Sequence, residues 1–94
     1  MIPTRPPIPL GRILATPEAL TAMERTGDAP SVFLRRHECQ DWGIVGEDDW
    51  QRNDEALRDG LRIVSSYCLK DGTLIWIITE ADRSISTILL PDDY

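Results

Sequence analysis

The spacing of apolar residues changes along the chain, and the change divides it in two. Between residues 16 and 59 they recur at helical intervals; from residue 61 onward they crowd and alternate as in strands. Thr16-Pro17-Glu18 opens a first helix. Thr16 is a capping residue, Pro17 suits the first helical position, and Glu18 favours the positive end of the dipole. Ala19, Leu20 and Met23 form its apolar stripe, and Gly27 is a natural stop, so the pattern predicts a helix over 17–26. Pro30 starts a second helix over 30–38, with Phe33 and His37 four apart on one face. Residues 39–46 contain two glycines and read as a loop whose Trp42, Ile44 and Val45 tuck under the helices. A third helix runs from Glu47 to Arg58. Only Trp50, Ala56 and Leu57 are apolar, so most of it faces water. Asp48 with Arg52 and Asp54 with Arg58 are expected as i,i+4 pairs.

The last third predicts strands at 61–69, 73–80 and 84–90. The Lys70-Asp71-Gly72 turn closes the first hairpin. In the middle strand Leu74, Trp76 and Ile78 point one way and Ile75 and Ile77 the other. A strand apolar on both faces belongs in the centre of a sheet. One face is expected under the helices. The other is expected under the N-terminal arm and the 39–46 loop, or under another chain in a homodimer through the sheet. Residues 10–15 give a short strand, and residues 1–9 hold four of the seven prolines in an extended arm. The expected fold class is therefore α+β. Two to three N-terminal helices pack on a C-terminal three-stranded antiparallel β-meander, with the short N-terminal strand as an addition. Residues 1–9 form the proline-rich arm and 10–94 a single domain.

Charge adds a direction. The chain carries 16 acidic and 10 basic residues for a net charge of −6. The whole excess lies between residues 38 and 59, where eight acids face Arg52 and Arg58. Such a chain is a poor ligand for nucleic acid or for an anionic membrane, both of which need clustered cations. A protein with a basic surface is the favoured partner. The candidate partner-binding residues are Asp41, Trp42, Glu47, Asp48, Asp49, Trp50, Asp54, Glu55 and Asp59: two aromatic anchors ringed by carboxylates.

Chemistry-bearing patterns are sparse. His37-x-Cys39 fits no common zinc spacing, and His37 is expected to sit charged at a helix C-terminus. Ser84 and Ser86 read as surface residues of a strand. No nucleophile elbow, P-loop or dinucleotide fingerprint occurs. Neither catalysis, a cofactor nor a metal is expected. Cys39 and Cys68 are expected as reduced thiols, and the N-terminus lacks the apolar stretch of a secretion signal, so the expected compartment is the cytoplasm.

Several segments together resemble a known group: Leu14-Ala15-Thr16-Pro17-Glu18-Ala19-Leu20, Asp41-Trp42-Gly43, Thr79-Glu80-Ala81-Asp82-Arg83-Ser84, and Thr87-Ile88-Leu89-Leu90-Pro91. From residue 10 onward the chain is similar to small orphan "plasmid-related" proteins of bacterial plasmids and integrated mobile elements. The resemblance implies a cytoplasmic accessory protein of a mobile element and carries no catalytic residues with it. Some members bear restriction-modification labels, but 94 residues cannot hold a methyltransferase. The expected function is a non-enzymatic protein-binding protein that modulates or inhibits a host nucleic-acid-directed defence complex, of anti-CRISPR or anti-restriction type. The alternative is a structural or regulatory accessory, acting as a homodimer or with a neighbouring element-encoded protein.

Overall fold

Local capping chemistry sets the helices. In the computed structural model, which describes residues 7–94, the first strand β1 (Arg12–Ala15) leads into α1 (Pro17–Thr26), α2 (Pro30–Glu38) and α3 (Glu47–Asp59). The Thr16 hydroxyl accepts from the Ala19 N–H at 3.2 Å and donates to Asp93 at 2.7 Å, so one side chain caps α1 and pins the C-terminal end to it. The first six residues of the proline-rich arm lie outside the described residues. Of the remainder, Ile8 is buried and its N–H bonds the Glu38 carbonyl at 3.0 Å.

Three further strands follow: β2 (Ile63–Cys68), β3 (Leu74–Thr79) and β4 (Ile85–Leu89), with a short 3-10 turn at Pro91–Asp93. β2, β3 and β4 are joined as antiparallel hairpins, but the sheet order is β1-β4-β3-β2, with β1 parallel to β4. The three-stranded antiparallel meander is thus corrected to a four-stranded mixed sheet. The helical elements are not all N-terminal either, since the 3-10 turn follows β4, while the short N-terminal strand is present as expected. Gly11 lets β1 dock. At φ 65°, it brings the backbone so close that a Cβ there would lie 2.2 Å from the Ser84 carbonyl oxygen. Arg12 N–H then donates to that carbonyl at 2.8 Å.

β3 is central, as its two apolar faces require. Ile75, Ile77 and Thr79 lie on the helix-covered face beside Ile63, Ser65 and Tyr67 of β2 and Ser86 and Ile88 of β4, all buried. Ala19, Ala22 and Met23 of α1 and Phe33 of α2 close over them. A second cluster joins Ile8, Trp42, Ala56 and Ile63 at the junction of arm, loop and α3. The arm therefore packs there and not on the far face of the sheet. On that far face Tyr94 meets Trp76, their ring centroids 6.0 Å apart, and Ile78 and Leu89 are buried.

The outer edge of β2 is closed by tertiary contacts. Asn53 of α3 donates to the Val64 carbonyl at 2.7 Å and accepts from its N–H at 3.2 Å, a side chain imitating a neighbouring strand. Ser66 completes the edge with the 39–46 loop, donating to the Trp42 carbonyl at 3.1 Å and accepting from Ile44 N–H at 2.6 Å. Covering an edge in this way blocks strand addition. Arg83 fastens the end of α3 to the β3–β4 turn through the carbonyls of Ala56 (3.1 Å) and Leu61 (2.6 Å). Asn53→Ala should leave two half-buried backbone groups unpaired and cost about 2 kcal/mol. That loss would lower the urea midpoint by roughly 1 M. An unshifted midpoint would show that Asn53 does not hold the edge.

Candidate partner-binding surface

α3 displays the negative charge. It carries six acids against Arg52 and Arg58. Glu47, Asp48 and Asp49 occupy its first turn, where the exposed N–H groups favour carboxylates, and Gly46 precedes them without a side-chain cap. Arg52 pairs with Asp49 at 3.1 Å and Arg58 with its neighbour Asp59 at 3.3 Å. Arg52 thus pairs at i−3 with Asp49, where Asp48 was expected. Asp54 is turned inward and accepts the Trp42 indole N–H at 3.0 Å. The exposed pairs on α3 do little for stability, because solvent screens them.

The nine candidate residues separate into two groups. Glu47, Asp48, Asp49, Trp50, Glu55 and Asp59 are exposed on α3, Trp50 with 36% of its surface in water. Asp41, Trp42 and Asp54 hold the loop in place instead. Trp42 is 0% exposed and meets His37 edge-on at 5.6 Å. It tucks under the helices as its place in the apolar loop predicts, and is therefore a core residue and not a surface anchor. Asp41 pairs with Arg36 at 2.8 Å and accepts from Gly43 N–H at 3.1 Å; the Arg36 contact, first, holds its carboxyl below the usual range. The Asp41 carbonyl takes the Tyr67 hydroxyl at 2.6 Å, and the Arg36 guanidinium lies 4.6 Å over the Tyr67 ring. Burial pushes the Tyr67 phenol up to about 12. Gly43 makes this arrangement possible. At φ 75°, its missing Cβ would stand 2.0 Å from the Ser66 carbonyl oxygen.

His37 is not a helix cap. It is fully buried between Ser65, 2.5 Å from Nδ1, and Thr79, 2.7 Å from Nε2. The tautomer follows from the far end of the chain of hydroxyls. Ser86 donates to the Leu10 carbonyl at 2.8 Å, so its oxygen accepts from Thr79 at 2.7 Å. Thr79 must then accept from His37 Nε2–H, and His37 Nδ1 accepts from Ser65. Every hydroxyl is used, and Ser86, expected on the surface, belongs to the interior. Burial, first, and then the Arg83 charge lower the His37 pKa to about 4. The imidazole is a neutral internal strut. Both thiols, Cys39 and Cys68, are exposed and unbridged. Among the described residues no group of three or more His, Cys, Asp or Glu could hold a metal ion, and no helix is long and apolar enough to cross a membrane.

Beside α3 runs a groove that the sequence did not announce. A cavity of about 620 Å³ lies between the helix, the start of the loop and the far face of the sheet. Val64, Ser66, Leu74 and Trp76 line its sheet side, Asp49, Arg52, Asn53 and Ala56 its helix side, with Ile44 and Leu61 at its ends. Ile44 is 60% exposed, Leu61 57% and Leu74 42%. Ile44 was expected to tuck inward with Trp42. It turns outward because Gly43 reverses the chain between them. The available signal was an apolar residue on each side of α3 next to a glycine: Gly43-Ile44 before it and Gly60-Leu61 after it.

Comparison with family models, with curated proteins and with solved structures returns no match.

Proposed function

We propose that the chain is a non-enzymatic protein-binding protein whose exposed acidic helix α3 docks on a basic surface of its partner. One observation carries the reading. Five carboxylates of α3 stand in solvent, three of them (Asp48, Glu55 and Asp59) on one stripe, while the histidine chain that could suggest catalysis is sealed in the core. Acidic surfaces compete for basic channels that otherwise hold nucleic acid. The resemblance to mobile-element proteins supplies the candidate class of target, a nucleic-acid-directed defence complex of the host. A second reading, a homodimeric accessory protein, is favoured by the half-exposed Ile13 and Leu14 on β1 at the sheet edge.

Glu55→Lys with Asp59→Lys tests the first reading. Both positions lie late in α3, where cations suit the helix dipole, so the fold is expected to be kept to within ~1 kcal/mol. Affinity capture from bacteria carrying defence systems should recover a defence effector with the natural chain and lose it with the double variant. Equal recovery by both, with intact circular dichroism, would overturn the acidic surface. Recovery of only a second copy or of a neighbouring gene product would favour the accessory reading.

A further inference from the structure

We infer that the groove between α3 and the far face of the sheet is the receptor for one segment of the partner: a peptide carrying a large apolar side chain flanked by Lys or Arg. This rests on the reading of α3 as a protein-binding helix and names what that helix would hold. The groove is of the size of ligand clefts, typically ~300–1,000 Å³. It is floored by Leu74, Trp76 and Val64 and flanked by Ile44 and Leu61, so an apolar group entering it loses contact with water on several sides.

The flank sets the charge. At about 100° per residue, Asp48, Arg52, Glu55 and Asp59 fall on one stripe of α3, roughly a quarter-turn round from the groove-lining Asn53 and Ala56. Three of those four positions are carboxylates, and they stand along the solvent rim of the groove. The two arginines at the groove are already engaged. Arg52 pairs with Asp49 at 3.1 Å, and Arg62 pairs with Glu80 at 3.5 Å and donates to the Tyr94 hydroxyl at 2.8 Å. The rim is therefore left negative, and the matching occupant is basic. A second copy of this chain is disfavoured by the same charge, since two acidic helices would meet across the interface. Nucleic acid and anionic lipid are repelled in the same way. An apolar anchor with basic neighbours is the chemistry that remains.

The probe is a displayed library of random 16-residue peptides, panned against the full chain. Enriched peptides are then measured by fluorescence anisotropy. They should share a large apolar residue beside Lys or Arg and weaken with added salt. Leu74→Glu, at a half-exposed floor position, should weaken them at least about ten-fold. Ile44→Glu, in the loop with its side chain 60% exposed, should do the same and keeps the test decisive if the first variant folds poorly. Glu55→Lys with Asp59→Lys should weaken them too. No enrichment, or peptides that bind both groove variants like the natural chain, would overturn the groove. Peptides lost only in the charge variant would sink the groove while the acidic-helix reading stands. Peptides lost only in the groove variants would sink the basic flank, and the acidic-helix reading with it. A natural chain that sediments as a dimer, and as a monomer after Leu74→Glu, would replace the peptide with a second copy.

Discussion

Trp42→Ala should destabilise the protein by about 3–5 kcal/mol, the cost expected for truncating a fully buried aromatic. The ring is 0% exposed and packs with Ile8, Ala56 and Ile63, with Leu10, Val45 and Leu57 around them. Four separate pieces of chain therefore lose a common partner: the arm before β1, the 39–46 loop, α3 and β2. The substitution also removes one hydrogen bond from a carboxylate. Asp54 accepts the indole N–H at 3.0 Å from a half-buried position, and alanine offers no replacement. His37 would lose its edge-on contact at the same time. Trp42→Phe separates the contributions. It keeps most of the apolar surface but removes the donor, and should cost about 1–2 kcal/mol. Urea denaturation followed by circular dichroism measures both. A loss below about 1 kcal/mol for Trp42→Ala would mean that the ring is a surface group after all. Trp50→Ala, at a ring that keeps 36% of its surface in water, is the comparison and should cost clearly less than Trp42→Ala.

The contrast between Trp42 and Trp50 shows what the sequence could and could not convey. Each tryptophan follows an aspartate, but Trp42 lies in an apolar loop expected to tuck under the helices and Trp50 on an otherwise polar helix. The difference arises from backbone geometry between α2 and α3. Gln40 at φ 68° and Gly43 at φ 75° turn the chain twice, sending Trp42 inward and Ile44 outward. Helix ends, by contrast, are local chemistry. Thr16-Pro17, Gly27, Pro30 and Gly60 carry their own stop and start signals, and α1, α2 and α3 begin and end within a residue of where those signals place them. β1 was legible as a short strand but not as a partner of β4, because that pairing joins residues more than seventy apart. His37 shared a face with Phe33 by spacing, yet its place in the last turn of α2 suggested a charged cap and not a core residue. Its hydroxyl partners became visible only with the register that sets Ser65 opposite Ile77 and Ser86 opposite Thr79. The groove draws on a loop, a helix and two strands, and no stretch of sequence contains it.

Acid should weaken the fold through His37 before it weakens it through the carboxylates. The imidazole has a pKa of about 4 in the folded chain against an ordinary value of 6.5. Below pH 6.5 the unfolded chain therefore takes up a proton that the folded chain refuses until about pH 4. The stability owed to the neutral ring is complete above pH 6.5 and is lost as the pH falls from there to about 4. At ~1.4 kcal/mol for each unit of pKa, the loss comes to about 3 kcal/mol. The cause is mainly solvation, with the Arg83 charge second. Protonation does not break the hydroxyl chain, because Ser65 can rotate to accept from Nδ1–H and Thr79 already accepts from Nε2–H. What changes is that a charge appears on a fully buried ring. The carboxylates held low by partners, Asp41 by Arg36 and Asp71 by Thr73 and Arg25, titrate lower still, with Asp71 at about 2. Their contribution fades only as the pH falls through that lower range. His37→Phe removes the imidazole titration and keeps an aromatic ring against Trp42, although Ser65 and Thr79 lose a partner. Urea unfolding at pH 7, 6, 5 and 4 should give a stability that falls by about 3 kcal/mol more for the natural chain than for His37→Phe. Parallel curves for the two proteins would show that the imidazole is charged or solvated in the folded state, and the assignment of His37 as a neutral strut would fail.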